Sequence, residues 1–193
     1  MANVEIDGVN SKVYTDQVDP KTATTLTLGT SGDTVSIPSG VTIANAGTAT
    51  GFGESNTPAF LAAVSSALSI ADSTVTTVVF NSEKYDSASG YDTSNGRWTP
   101  GVAGKYQLST SLRSYSFTCN NFRAEFQVNG VTLAGAYSKV NTSGDSINVS
   151  VIATLDADDY VTVAMYQDSG GTVSTDYSGS TLQTFFQGFR LIT

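Results

Sequence analysis

The sequence lacks histidine entirely and contains a single cysteine, Cys119. The Ser-His-Asp and Cys-His catalytic arrangements, the HExxH zinc site and most other zinc sites depend on histidine. One cysteine cannot form a disulfide within the chain. Without a histidine base beside it, Cys119 is expected to be a small, semi-buried side chain rather than a nucleophile. These absences argue against an enzyme.

Charged residues are scarce, and basic ones are scarcer than acidic ones. Nine Lys and Arg residues are scattered singly among 17 Asp and Glu residues, which gives a net charge of −8. Isolated basic residues cannot follow a phosphate backbone, so we expect no nucleic-acid partner. The acidity favours solubility and is compatible with a cation-binding surface.

Long apolar runs are also missing. Because no stretch of eighteen apolar residues exists, the sequence predicts no membrane insertion. The start, MANVEIDGVN, has neither the basic residues nor the apolar core of a secretory signal. We therefore expect that a signal was removed or that the protein reaches the outside by another route, such as assembly onto a virus particle.

The chain is instead rich in Ser, Thr, Gly and Asn. Thr and Ser suit half-exposed strands, while Gly and Asn suit turns. A length of 193 residues allows one domain and an appendage. The composition is typical of an all-β extracellular or virion protein.

Residues 1–55 differ in pattern from the rest of the chain. They contain three apolar pairs at a spacing of two, namely Leu26 with Leu28, Val35 with Ile37, and Val41 with Ile43. Period two indicates strands, but strands this short cannot bury an apolar face alone. We interpret the segment as a thin shaft or docking segment that pairs with copies of itself. The alternative is a flexible linker, and glycine-rich residues 47–57 predict a joint.

Strands recur after Thr74, with turns between them. Residues 57–73 alone are ambiguous, because Thr57, Pro58 and the Ala and Leu residues that follow favour a short helix. Asn129-Gly130 is a strong hairpin signal. The predicted strand runs are residues 74–80, 96–100, 105–117, 122–130, 131–140, 146–155, 159–168 and 181–193. Eight to ten strands with intervening turns indicate a sandwich or jelly roll.

Residues 91–108, YDTSNGRWTPGVAGKYQL, resemble the signature of the globular head of the complement C1q family, Y-D-x-x-(x)-G-x-F-x-x-P-x-x-G-x-Y-x-F. Trp98 and Leu108 replace two phenylalanines of that pattern. The matching residues are Tyr91, Asp92, Gly96, Pro100, Gly104 and Tyr106. Gly104 is expected to allow a tight turn before the strand that contains Tyr106.

Four further segments resemble the same family in the right order, so the likeness covers residues 58–193. They are PAFLA (58–62), VVFN (78–81), LDADDYVTV (155–163) and TFFQGFRLI (184–192). They add Phe60, Phe80, Phe186, Gly188 and Phe189 to the signature. Gly188 is expected to let a neighbouring backbone or aromatic ring approach closely. The resemblance also favours a strand over a helix at residues 58–64.

The resemblance implies an all-β, C1q/TNF-like jelly-roll sandwich that forms a homotrimer around aromatic side chains. Such heads are mostly binding modules at the tip of a stalk, which in animals is collagen. This chain has no Gly-X-Y run. Residues 1–55, which resemble the short-strand repeats of bacteriophage fibre and tail proteins, take the place of the stalk. Residues 56–193 would form the head.

The acidic cluster Asp156, Asp158 and Asp159 is a candidate calcium site, because some heads of this family bind calcium near the trimer apex. The alternative is a solvated turn before a strand. The spacing favours the turn, since the D-x-D-x-D-G loop is absent. No other cofactor is expected.

A long polar loop lies between Asp168 and Asp176, and loops on rigid scaffolds often carry recognition. Tyr166 and Tyr177 at its ends suit stacking on a sugar or packing on a protein face. The alternative is an ordinary surface loop. A glycosidase would need two carboxylates in an apolar pocket, for which the sequence gives no sign.

The sequence therefore predicts a non-enzymatic trimeric fibre or spike protein on the surface of a virion. Residues 1–55 would bind another virion protein, and the head would bind a host surface protein or glycan. Two alternatives stay open: a purely structural tail or capsid decoration trimer, and a secreted C1q-like lectin or adhesin. Asn141 and Asn148 lie in glycosylation sequons, which would be unused in a bacterial host.

Overall fold

A computed structural model describes Thr25, residues 27–28, 31–42, Ala44, 56–142, 144–177 and 181–191. The chain divides into two units, Met1–Thr50 and Gly51–Thr193.

The described part of the first unit contains two turns. Gly32 and Gly40 take positive φ angles of 96° and 86° there. Within residues 31–42 the single chain forms no strand, and Val35 and Ile37 are exposed. The interpretation of this segment as a shaft that pairs with copies of itself stays a prediction. Leu26 and Ile43, from the other two apolar pairs, lie outside the described residues.

The described part of the second unit is built from thirteen strands and contains no helix. The strands are β1 (Ala59–Ala63), β2 (Ser69–Ile70), β3 (Thr76–Thr77), β4 (Ser82–Asp86), β5 (Tyr91–Asp92), β6 (Arg97–Trp98), β7 (Gly104–Tyr115), β8 (Cys119–Val128), β9 (Val131–Val140), β10 (Ser146–Leu155), β11 (Val161–Tyr166), β12 (Val173–Thr175) and β13 (Phe185–Arg190).

These strands form two antiparallel sheets. The first sheet has the order β2-β12-β7-β13-β1-β4, with β10 on the other edge of β7. The second sheet has the order β5-β6-β11-β8-β9, with β3 paired to β11. Because consecutive strands cross repeatedly between the sheets, the architecture is a jelly roll. The predicted all-β jelly roll is confirmed.

The ambiguous segment after Thr57 forms strand β1, so the helix favoured by local propensity is wrong. β1 pairs with β13 on one edge and β4 on the other, and Phe60 and Ala62 alternate into the core. These long-range pairings override the helix preference of Ala and Leu. The long predicted runs coincide with β7 to β11 and β13. The run at residues 74–80 contributes only β3, although Val78 and Phe80 beyond it are buried.

The core between the sheets is centred on Phe60. Its ring stacks on Trp98 at a centroid distance of 4.6 Å and meets the edge of Phe186 at 4.7 Å. The Trp98 ring in turn meets Tyr106 edge-on at 5.2 Å. Such pairs add about 0.5–1.5 kcal/mol each beyond their burial. Most of the family signature therefore forms the hydrophobic core.

Two signature residues show how tightly the backbone packs around these rings. The Tyr91 hydroxyl accepts a hydrogen bond from the Phe80 amide at 3.1 Å, and burial raises the pKa of Tyr91. Gly96 takes a φ of 75° between β5 and β6, where a Cβ would lie 2.7 Å from the Val78 carbonyl oxygen.

The turn before β7 is made at Gly101, which has a φ of 70°, and Gly104 takes no positive φ. The expectation of a tight turn at Gly104 is therefore wrong, because the turn lies three residues earlier, at Gly101. At Gly104 a Cβ would lie 3.0 Å from Arg190 Nε. Because Gly104 has no Cβ, the Arg190 side chain can cross the start of β7.

Candidate binding surfaces

The acidic cluster at the start of β11 forms a hydrogen-bonded turn. Asp159 Oδ2 accepts the Asp156 amide at 2.8 Å, and Asp159 Oδ1 accepts Asn129 Nδ2 at 2.6 Å. Asp156 and Asp158 are exposed. Among the described residues, no three His, Cys, Asp or Glu side chains are grouped to hold a metal. A calcium site at Asp156, Asp158 and Asp159 stays a prediction.

Asp168 braces the irregular start of β8. Its Oδ1 accepts the amides of Asn120 and Asn121 at 2.9 and 2.8 Å, and its Oδ2 accepts Asn121 Nδ2 at 2.6 Å. The hydrogen bonds from the Asn121 backbone and side chain hold the pKa of Asp168 below its usual value. This carboxylate therefore stabilises local structure.

Asp176 stabilises the first sheet in a similar way, through contacts with Arg113 on β7. Its Oδ2 lies 3.3 Å from Arg113 Nε, and its amide donates to the Arg113 carbonyl at 2.8 Å. Tyr177, the next residue, is exposed at the rim of a cleft of about 370 Å³ with Leu61 and Leu182. Tyr166 lies on the second sheet instead. The four residues considered for binding are thus divided between two sheets.

The outward face of the second sheet gathers aromatic and charged side chains around Arg123. The Arg123 guanidinium carbon lies 5.2 Å from the Tyr166 ring centroid and 5.7 Å from that of Tyr137. Its Nη1 donates to the Tyr137 hydroxyl at 3.4 Å, and its Nε lies 3.2 Å from Glu125 Oε2. The hydrogen bond to Tyr137, followed by the charge of Glu125, raises the pKa of Arg123 against the effect of burial. We call Arg123, Glu125, Tyr137 and Tyr166 the outer platform.

Sequence reasoning identified Tyr166 but missed its three partners. Arg123 and Glu125 alternate with buried residues in β8, which marks them as outward-facing. The pairing of Tyr137 with Arg123 depends on the β8–β9 register, which contains two irregularities. No local pattern in the sequence encodes that register.

The outward face of the first sheet carries apolar side chains in one cross-strand row. Ile152 pairs with Gln107, Gln107 with Phe189, and Phe189 with Ala59. Ile152 is 59% exposed and Phe189 is 38% exposed. Phe189 therefore lies on this surface, unlike the other signature aromatics. Tyr85 adds a third large exposed side chain on β4.

The adjoining row on this face consists of Ser150, Ser109 and Gln187, and Gln107 reaches it from the apolar row. Gln107 Nε2 donates to Ser150 Oγ at 2.6 Å, and Gln187 Nε2 donates to Ser109 Oγ at 3.0 Å. We call the two rows together the first-sheet face. Exposed apolar side chains beside amide and hydroxyl groups are typical of protein–protein interfaces.

Two of the long strands leave one backbone edge unpaired among the described residues. β9 pairs with β8 alone, and β10 pairs with β7 alone. β9 is also exposed along most of its length, including Val131 and Tyr137, each 71% exposed. A ten-residue edge strand of this kind is a site for association.

Residues 59–191 match the family model of the C1q domain. The match covers well over half of the chain, so the chain belongs to the C1q family. C1q-type domains are generally not enzymes and are typically extracellular or secreted. Among the described residues, no helix is long and apolar enough to cross a bilayer.

Solved structures with the same fold include complement and TNF-like proteins. The globular domain of the zebrafish complement 1qA protein shares 19% identity at a TM-score of 0.51, covering 69% of this chain and 97% of its own. Murine APRIL at pH 5.0 shares 15% identity at a TM-score of 0.54, covering 69% and 98%. The Eiger TNF of S. frugiperda shares 11% at a TM-score of 0.50, covering 69% and 91%.

These likenesses establish the fold and leave the ligand open. A search among curated proteins finds no match.

Proposed function

We propose that this chain is a non-enzymatic, homotrimeric virion fibre or spike protein whose C1q-type head binds a host surface protein or glycan. The single observation that carries the trimer is the first-sheet face, where Ile152, Phe189 and Tyr85 are exposed. Among the described residues, the long strands β9 and β10 also leave one backbone edge unpaired. Seating the β9–β10 edge of one head on the first-sheet face of the next would cover both features.

The N-terminal unit supports the fibre part of the proposal. Leu28, Val35, Ile37 and Val41 are exposed there in the single chain. Exposed apolar pairs at strand spacing need neighbouring strands, and a trimer supplies two copies beside each chain. One face of such a shaft would bind another virion protein.

The proposed trimer would make recognition by the head multivalent. Three identical sites on one rigid trimer raise avidity by about 10² to 10⁴ over a single weak site. The alternative is a structural decoration trimer whose head contacts no receptor. A secreted lectin or adhesin is a third possibility. Neighbouring genes that encode tail and capsid proteins would favour the two virion roles over this one.

The test uses fluorescently labelled full-length chain on a panel of intact bacterial and animal cells. Saturable binding to particular cells, displaced by an excess of unlabelled chain, is the expected result. The control is the same chain after heat denaturation. A folded trimer that binds none of the cells would overturn the receptor role in favour of the structural alternative.

A further inference from the structure

We propose that Gln107 makes the first-sheet face specific for a second copy of this chain. Its side-chain oxygen, Oε1, would accept a hydrogen bond from the open β9–β10 edge of that copy. This inference rests on the subunit contact in the proposed function and assigns it a specificity-determining residue.

The amide group of Gln107 is held in one orientation by its own chain. Its Nε2 donates to Ser150 Oγ at 2.6 Å and to the Leu108 carbonyl oxygen at 3.3 Å. Because a backbone carbonyl can only accept, the nitrogen of the amide has to be the atom on that side. Among the described residues, Oε1 on the other side of the amide receives no hydrogen bond. Gln107 therefore presents a fixed acceptor that lacks a donor.

This acceptor lies in the middle of the apolar row. Gln107 is half-buried between Ile152 on β10 and Phe189 on β13, both of which are exposed. A surface that covers these two side chains also removes water from Oε1. A buried carbonyl oxygen without a donor weakens association by roughly 5- to 150-fold. The surface that covers this row therefore has to supply a donor at this point.

The open edges of β9 and β10 carry donors of the required kind. Within the described residues, β9 pairs with β8 alone and β10 pairs with β7 alone. In an antiparallel pair, alternate residues of a strand bond to the partner, and the N–H groups between them point away from it. About half of the N–H groups of each ten-residue strand therefore lack a strand partner. Such an edge can supply the donor that Gln107 needs.

Charge favours a second copy over a different, charged partner. The first-sheet face contains no charged side chain, and its two rows consist of Ile152, Gln107, Phe189, Ala59, Ser150, Ser109 and Gln187. The whole chain carries a net charge of −8, so two copies repel each other. An uncharged face is where like-charged copies can meet at the lowest electrostatic cost. A partner recognised through its charge would find no complementary group here.

The experiment measures how fast subunits exchange between trimers. Full-length chains carrying a donor dye and an acceptor dye are mixed, and energy transfer is followed over time. Gln107→Met keeps the length of the side chain but removes the carbonyl oxygen, which leaves the N–H of the neighbouring copy unpaired. We expect exchange at least about tenfold faster than in the natural chain, because interface changes act mainly on dissociation.

The matched control is Gln127→Met on the second sheet. Gln127 Nε2 donates to Glu125 Oε1 at 2.7 Å, so this variant also loses a hydrogen bond within its own chain. It should exchange at the natural rate. Deuterium uptake supplies a second readout, in which residues 131–140 and 146–155 should take up deuterium faster in Gln107→Met than in the control. Unchanged circular dichroism shows that both variants are folded.

Three results would overturn the role of Gln107 alone. The first is exchange of Gln107→Met at the natural rate or more slowly, because a purely apolar contact would gain from methionine. The second is equal acceleration in Gln127→Met, and the third is unchanged deuterium uptake in both edge strands. In each case a trimeric natural chain leaves the proposed function standing. A natural chain with the mass of one subunit would overturn both proposals.

Discussion

At the scale of single residues, Gly188 shows why one position in a strand excludes every side chain. It lies on β13 between β1 and β7, and an added Cβ would meet Leu108 Cδ2 at 2.7 Å and Phe60 Cε1 at 3.0 Å. Phe60 is the centre of the aromatic core, so the missing side chain is what lets its ring pack against the sheet.

We expect Gly188→Ala to destabilise the head by about 1–3 kcal/mol through overpacking. The matched control is Gly171→Ala, where nothing lies within 4 Å of the added Cβ and φ is not positive. Urea unfolding followed by circular dichroism, at one protein concentration, measures both variants. Equal midpoints for the two variants would contradict the packing argument.

The family signature could be identified from the sequence because its residues have distinct roles in the backbone or the core. Phe60, Trp98 and Phe186 build the core, and Gly96 forms the turn between β5 and β6. The structural roles of Asp168 and Asp176 could not be predicted from the sequence. A carboxylate that braces a distant loop and one that binds a ligand look alike in a sequence.

At the scale of elements, long strands were predicted well and short ones poorly. β8 and β10 carry five or more alternations of apolar and polar residues, which is enough to define a period. β2, β4 and β12 lie outside the predicted runs and are short or mostly polar, whereas β6 lies within the predicted run at residues 96–100. Such strands are fixed by the neighbour they pair with, which the local sequence does not specify.

The irregular start of β8 gives a pH prediction through Asp168. Its pKa in the folded state is below the ordinary value of 3.8, so the hydrogen bonds it accepts stabilise the fold above that pH. This stabilisation is lost as the pH falls below 3.8 and Asp168 takes up a proton.

We therefore expect Asp168→Asn to have a lower urea midpoint than the natural chain at pH 7. The difference should narrow steadily below pH 3.8, because the natural chain then loses the same interaction. Asp158→Asn, a change at an exposed aspartate in the β10–β11 turn, is the control. A difference that stays constant from pH 7 to pH 2 would show that the Asp168 charge is not responsible.

At the scale of the whole molecule, the proposed trimer depends on the first-sheet face and the open edges of β9 and β10. The proposed trimer has a mass of three times 20.1 kDa. Ile152→Asp would place an unpaired charge in the covered apolar row, which is costly to bury.

We expect Ile152→Asp to shift the mass measured by light scattering from three chains toward one at micromolar concentration. The control is Val75→Asp, which changes a valine that is 44% exposed beside β3. It should remain at the mass of the natural chain. A trimeric Ile152→Asp variant would exclude this face from the subunit contact.

The unpaired edge of β9 has a consequence for how the protein is made. A newly synthesised chain presents ten residues of edge backbone that accept any extended strand, including one from an unfolded copy. If the proposed trimer covers this edge, association with folded copies has to be faster than aggregation. Yield should depend on the rate of synthesis, with slow expression at low temperature giving more soluble protein than rapid expression.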